Sequence, residues 1–291
     1  MDVVGFGALN VDKIYLVDAI PAPGEEVFVK DLRIHSGGSA SNTIVGLSKL
    51  GLETGYIGKV GTDPEGDFLM DDLRRWGVDT TLVLREEGRS GCAMILVDES
   101  GERVIVVDPG VNDRMRFEEI DLDHVSKFEL LHLTSFVCRN GMQSYEAQKR
   151  LVREFDGIVS FDPGSIYARR GLKFIEDIVR ETDIFMPNEI EMRALTGLDY
   201  KEGAEVILEM GVDVVVVKLG DKGCYITDGR KEIIVPAYEV DVVDTTGAGD
   251  AFNAGFIYAY LKGKDLEECG RMGNYVASLC IRNVGAKSWE P

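Results

Sequence analysis

The sequence predicts a three-layer α/β/α fold with a mainly parallel central sheet and a small β-sheet lid. Three observations lead there. Strands of near-continuous Val, Ile and Leu alternate with helical stretches, the pattern of a parallel sheet covered on both faces. Two segments break the alternation and read as strands joined by turns. The chain has 291 residues, 45% of them apolar, which gives one large domain over 1–291 and material for a sizeable core.

The elements follow in order. "DVVGFG" (2–7) is a buried-type strand. "TIVGLSKLG" (43–51) reads as a helix closed by Gly51, and "TGYIGKVG" (54–61) as a strand. "GDFLMDDLRRWGV" (66–78) carries apolar residues at 68, 69, 73 and 76, a helical period. Segments 129–135, 157–164, 183–189 and 212–220 are strands that each end at a turn signal. Helical patterns fall near 142–155, 172–181, 188–196 and 201–210. "EIIVPAYEVDVVD" (232–244) reads as a strand leading to Asp244, and a helix runs from Asp250 to a stop at Gly263.

The two exceptions are 14–38 and 91–112. The second is a hairpin, "AMILV" and "VIVVD" around "DESGER". Together, over about 12–36 and 91–110, they predict the lid. Its strands are apolar at consecutive positions, so both faces need cover, and a second copy of the chain through the lid is the simplest source.

The formal net charge is −19. A nucleic-acid partner needs a basic stripe, and none occurs. An anionic ligand would need helix N-termini, a few Lys or Arg, or a metal ion. The five cysteines are scattered with no CxxC pair, which fits a reducing cytoplasm. A first strand at residue 2 leaves no room for a signal peptide, and no apolar run approaches the ~18 residues of a membrane span.

"DTTGAGD" (244–250) carries the most chemistry. Gly247, Ala248 and Gly249 stand at the start of an apolar helix, where the first N–H groups have no internal partner and the dipole is positive. Small residues let an anion approach those groups. Asp250 faces the same point from the first turn. A carboxylate base beside an anion hole is what phosphoryl transfer to a hydroxyl requires. Dipole compensation and close helix–sheet packing would explain the same residues.

Three further stretches are ambiguous alone. "GGSASN" (37–42) is a glycine pair before Asn42, a ligand loop or a capped turn. "PNEIE" (187–191) sets Asn188 and Glu191 on one helical face, suited to phosphate oxygens and Mg²⁺-bound water, or to an ordinary helix start. "KLGDKG" (218–223) could wrap a nucleotide or turn a hairpin.

In combination and in order, with "GALNVD" (7–12) and "GVN" (110–112), these stretches resemble the ribokinase (PfkB-type) family of carbohydrate and nucleoside kinases over essentially the whole chain. The resemblance implies a ribokinase-like fold and transfer of the γ-phosphoryl of ATP to a sugar or nucleoside hydroxyl, with Mg²⁺. Asp250 matches the catalytic base, and Gly247, Ala248 and Gly249 the anion hole. Asn10, Asp12, Gly37, Gly38 and Asn42 match sugar ligands, with Asn112 added from the lid. Asn188 and Glu191 match the Mg²⁺ and phosphate motif. Lys218, Gly220 and Gly223 match the nucleotide loop, with Asn274 near the base or ribose. Many members bind a monovalent cation such as K⁺. Asp244 and Thr246 match its loop, with backbone of 280–285 completing it.

Other classes fit less well. "GFGALN" (5–10) begins like a dinucleotide fingerprint, but Asn10 replaces its third glycine, and Pro21, Pro23 and Gly24 crowd the next strand. No GxxxxGK[ST] occurs, which excludes a P-loop kinase. A non-catalytic sensor on the same fold would have lost the base, and Asp250 is present. The substrate stays open among ribose, fructose, a nucleoside or a sugar acid. Arg139, in "VCRNG" at the carboxyl edge of a strand, would meet a substrate phosphate or carboxylate if it faces the site. Lys30 and Arg33 in the lid pose the same question. A phosphorylated sugar as substrate and ADP as donor are also compatible.

Overall fold

The computed structural model describes residues 1–291. β1 (Val3–Phe6) and β2 (Asn10–Val17) are nearly contiguous. β3 (Val29–Gly37) leads into α1 (Ser39–Lys49), β4 (Thr54–Gly61), α2 (Pro64–Arg75) and β5 (Val83–Glu86). The hairpin β6 (Gly91–Val97) and β7 (Arg103–Asp108) follows, then the short α3 (Leu122–Val125). The chain continues through β8 (Leu130–Leu133), α4 (Gln143–Glu154), β9 (Ile158–Phe161), α5 (Gly164–Ala168), α6 (Leu172–Val179) and β10 (Ile184–Phe185). It ends with α7 (Glu189–Thr196), α8 (Tyr200–Glu209), β11 (Val214–Lys218), β12 (Cys224–Thr227), β13 (Glu232–Val235), α9 (Ala248–Leu261) and α10 (Leu266–Cys280).

Nine strands form the central sheet in the order β13-β12-β11-β10-β9-β8-β1-β4-β5. All pairings are parallel except those of β12 with β11 and β13. Alternate residues of each strand point to opposite faces. Val4, Phe6, Leu131, Leu133, Val215 and Val217 pack on α4, α6, α7 and α8. Val3, Leu130, Val214 and Val216 pack toward α1, α2, α9 and α10. Both faces are covered, which is why these strands are apolar throughout.

The lid is a second sheet, β3-β2-β6-β7, drawn from residues 10–37 and 91–108. Apolar side chains are exposed on both of its faces: Leu32, Ile34, Met94, Val104 and Val106 on one, Ile105 and Val107 on the other, with Phe28 at the strand start 80% exposed.

Four local expectations change. The strand expected over 232–244 stops at Val235. Pro236 has no N–H to extend the ladder, and 236–247 runs as irregular chain fixed by Val243 and Asp244 N–H donating to the Ile281 carbonyl. The helix expected from 43 starts at Ser39, because Gly38 takes φ +107° and caps it. A Cβ at Gly38 would lie 2.1 Å from the Ala8 carbonyl oxygen, so only glycine fits. The strand expected over 183–189 is two residues long, and Asn188 caps α7 instead. The fourth change is α10, which the sequence reading did not anticipate. It packs along α9 and anchors the tail, where Trp289 is buried against Ala251, Val276 and Cys280. No helix is long and apolar enough to cross a membrane.

Candidate active site

The site gathers where α1 and α9 begin and where β2, β9 and β11 present their ends. Gly247 caps α9 with φ +79°, and a Cβ there would meet Ala286 at 2.2 Å. Ala248 N–H donates to the Thr245 carbonyl and Ala251 N–H to Gly247. Gly247, Gly249 and Asp250 N–H have no acceptor in the chain. The free donors at this helix start therefore belong to Gly247, Gly249 and Asp250, while Ala248 N–H is spent inside the turn.

The Asp250 carboxylate accepts hydrogen bonds from Ser39 Oγ at 2.6 Å and Asn42 Nδ2 at 2.8 Å. Burial pushes its pKa up to about 6, opposed by those two donors and Lys218 and aided by Asp162. It is ionised at neutral pH yet basic enough to take a proton. The other end of the Asn42 amide, Oδ1, is buried with no partner, an acceptor left for a ligand hydroxyl.

Asp12 lies over Gly37, where a Cβ would come within 2.3 Å of its Oδ2. Burial, countered by Lys287 and reinforced by Asp250, raises Asp12 to about 6. Asn10 accepts from Asn112 Nδ2 at 3.1 Å. Asn112 does not reach in from the lid. It sits in the turn after β7, buried, with Oδ1 accepting Leu9 N–H and Nδ2 donating to the Leu9 carbonyl and Asn10. Its amide is used up, so it orients Asn10.

On the opposite side, Lys218 Nζ bonds Asp162 Oδ2 at 2.5 Å and Asn253 Oδ1 at 3.3 Å, and Asn253 Nδ2 donates to Asp162 at 2.6 Å. A Cβ on Gly249 would stand 3.6 Å from Lys218 Nζ, which puts the ammonium beside the hole. Burial works against that charge, but Asp162 and Glu191 outweigh it and raise the lysine above its ordinary range. Asn188 and Glu191 form a reciprocal cap: Glu191 N–H donates to Asn188 Oδ1 and Asn188 N–H to Glu191 Oε2, both at 2.8 Å. Burial and Asp162 push Glu191 up to about 7, the state of a carboxylate short of positive charge. A hard cation with oxygen ligands suits its remaining oxygen.

Gly220 (φ +64°) and Gly223 (φ +91°) shape the turn after β11, and a Cβ at Gly223 would strike the Val235 carbonyl at 2.0 Å. Asn274 adjoins this turn, sharing the Val235 carbonyl with Gly223. Its Nδ2 donates to the Val235 and Pro236 carbonyls at 3.0 Å each, pinning the end of β13. Asp244 accepts Thr246 N–H and Gly285 N–H at 2.9 Å each, and Cys280 Sγ contacts the Thr246 carbonyl. The loop and the 280–286 backbone do meet. Each Asp244 oxygen keeps a lone pair beyond its N–H bond, so a monovalent cation fits the donor set.

Arg139 belongs to a loop held from both sides. The buried Asp113 accepts N–H from Cys138, Arg139 and Asn140 at 2.8–3.1 Å. Arg170 donates to the Val137 and Cys138 carbonyls. Cys138 takes φ +56°, which a side chain rarely adopts. The Arg139 guanidinium has no carboxylate partner, and Asp113 adjoins Asn112, which holds Asn10.

Sequence reasoning missed Ser39, Asp162, Asn253, Asp113 and Lys287. Ser39 lies inside a motif already singled out. Asp162, beside Pro163 at a strand's carboxyl end, and Asn253, the one amide in an apolar helix, carried a faint signal.

A family model described as pfkB family carbohydrate kinase matches residues 1–291. A sugar kinase of Archaeoglobus fulgidus is 57% identical over 247 residues, covering 85% of this chain and 98% of that one. An ATP-dependent ribose-1-phosphate kinase of Halopiger xanaduensis is 33% identical, covering 98% and 94%. The crystal structure of a ribokinase from Thermotoga maritima superposes with a TM-score of 0.91 at 31% identity, covering 100% and 96%.

Proposed function

Because the chain belongs to the pfkB family of carbohydrate kinases, we propose that it is an ATP- and Mg²⁺-dependent kinase that phosphorylates a hydroxyl of a ribose-type sugar or a nucleoside. The observation that carries this is Asp250, basic and held by Ser39 and Asn42, in the same helix turn as the free N–H groups of Gly249 and Asp250. Asp250 takes the proton of the acceptor hydroxyl. That oxygen bonds the γ-phosphorus as the bond to the β-phosphate oxygen breaks, and ADP leaves. The helix N–H groups and Lys218 face the charge that builds on the phosphoryl oxygens. Mg²⁺, when bound, would supply further neutralisation of the phosphates, and Glu191 with Asn188 would hold it. ATP as donor is supported by the ribose-1-phosphate kinase relative, which is named as ATP-dependent.

Asn10, Asp12, Asn42 and the Gly37–Gly38 turn bind the sugar. Lys218, Gly220, Gly223 and Asn274 form the nucleotide side, where Asn274 acts by fixing the chain at Pro236. Asp244 and the backbone around Thr246 would hold K⁺, which would stiffen the hole without touching substrate. The exposed apolar lid pairs with that of a second copy.

A second reading, a phosphorylated ribose as acceptor, is supported by the relative named as a ribose-1-phosphate kinase and by an unpaired Arg139 on a loop braced by Asp113, next to the Asn112 that holds Asn10. A phosphorylation screen tests both. Ribose, ribose phosphates, fructose, 2-keto-3-deoxygluconate and nucleosides are offered with ATP or ADP and Mg²⁺. Turnover of ribose or a nucleoside supports the first reading. Turnover confined to phosphorylated sugars, and lost in Arg139→Met, supports the second. No turnover of any acceptor removes both.

A further inference from the structure

Lys287 lies two residues beyond the turn at Gly285 and is almost wholly buried. Its Nζ donates to Ser36 Oγ, Ser41 Oγ and Asp72 Oδ2, each at 3.0 Å. Those partners come from three elements: Ser36 from the end of β3, Ser41 from the first turn of α1, Asp72 from α2. Ser36 Oγ also donates to Asp72. The lysine's own backbone is held too, since Lys49 Nζ donates to the Lys287 carbonyl at 2.6 Å. One ammonium thus ties the lid strand, two helices of the body and the tail together.

The tie sits behind the sugar ligands. Ser36 pairs with Val11 and His35 with Asp12 in the β2–β3 ladder. Gly37 and Gly38 follow directly, and Asp12 lies over Gly37. Ser41 precedes Asn42, which holds Asp250. Two of the three residues that Lys287 grips, Ser36 and Ser41, are therefore next to ones that face the acceptor, and Asp72 anchors the tie to the body.

We propose that Lys287 is a positioning residue of the kinase site. By locking the root of the lid to α1 and α2, it holds the Gly37–Gly38 turn, Asp12 and Asn42 where the acceptor sugar meets them. The proposal rests on the kinase reading above for its effect on turnover, and on geometry alone for the lock.

The charge matters as well as the bonds. Around Lys287 stand Asp72 from α2, Asp12 from β2, Asp250 from α9 and Lys49 from α1. Around Asp12 stand Lys287, Asp250 and Cys92 from β6. Around Asp250 stand Asp162 and Lys218, with Glu191, Cys280 and Tyr56 further out. Lys287 is the cation on the Asp12 side of the site, as Lys218 is on the other. Removing it leaves Asp12 and Asp250 facing each other with less compensation, which favours their protonated forms.

The test is Lys287→Met beside Lys287→Arg. Hydrogen exchange is read by mass spectrometry, and kcat/KM for the acceptor is followed against pH. Lys287→Met should speed exchange at residues 36–42 while leaving β8 to β11 unchanged. It should raise KM for the acceptor about tenfold or more, the scale of lost charged hydrogen bonds, with KM for ATP within about twofold. The acid limb of the profile should move to higher pH, and Lys287→Arg should restore it. Exchange unchanged at 36–42 would overturn the lock. Both KM values rising together over a fixed acid limb would reduce the lysine to a fold support and also overturn the proposal. If Lys287→Met does not fold, Asp72→Ala takes its place. It removes one partner and keeps the ammonium, so faster exchange at 36–42 with an unmoved acid limb supports the proposal, and unchanged exchange refutes it. Inactive wild-type protein would sink the kinase reading alone, because the exchange measurement still judges the lock.

Discussion

Asp250→Asn should cripple turnover and stabilise the fold at the same time. The amide keeps the shape of the side chain. Its oxygen can accept from Asn42 Nδ2 and its NH₂ can donate to Ser39 Oγ, so both native contacts have a counterpart. What goes is the proton acceptor, a group worth about 10²–10⁴ in kcat, with little change in nucleotide affinity. Stability follows from the carboxyl's pKa, which rises from an ordinary 3.8 to about 6 on folding. A carboxyl raised by folding weakens the fold wherever it is ionised. At 1.36 kcal/mol per pH unit, the ceiling is about 3 kcal/mol, and partial exposure brings it to roughly 1–2 kcal/mol. The advantage of the Asn variant should be full above pH 6 and should vanish as pH falls toward 3.8. Single-turnover kinetics and denaturant melts at pH 8 and pH 4.5 read both effects. Near-normal turnover would remove Asp250 as base, and a variant no more stable than wild type at pH 8 would refute the account of its burial.

Lys218→Met strands Asp162 in the interior, so denaturation should show a loss of about 3–5 kcal/mol; a loss below about 1 kcal/mol, the scale of a surface pair, would count against a compensated buried pair. Light scattering should give twice the 32.1 kDa chain mass, and Val106→Glu, on the lid face with Ile34 and Met94, should return it to one chain. A wild-type protein monomeric at micromolar concentration contradicts lid pairing. Turnover in K⁺ should exceed that in a large organic cation at equal ionic strength and fixed Mg²⁺. Equal rates would leave Asp244 as a turn residue only.

The sheet was legible because a strand covered on both faces must be apolar at every position, as Val214 to Val217 are. The glycine turns were legible because Gly38, Gly223 and Gly247 stand where a Cβ would hit backbone or the tail. The segment 236–247 misled because "YEVDVVD" has strand composition, and composition cannot show that no neighbouring strand awaits it. The braces of the site were hidden for a related reason. Asp162 meets Asn253 across 91 residues, and Lys287 meets Ser36 across 251. A lone buried lysine near the end of a chain carries no periodicity that would mark it.

The separation between Asp250 and its holders has a consequence for how activity arises during folding. Ser39 and Asn42 lie 211 and 208 residues before Asp250. Contacts that close loops of this length form late, since shorter-range structure must first bring the ends together. Helices α1 and α9 can each gain native backbone well before they meet. In refolding from denaturant, far-ultraviolet circular dichroism should therefore recover ahead of turnover, and the last kinetic phase should be the one that carries all of the catalysis.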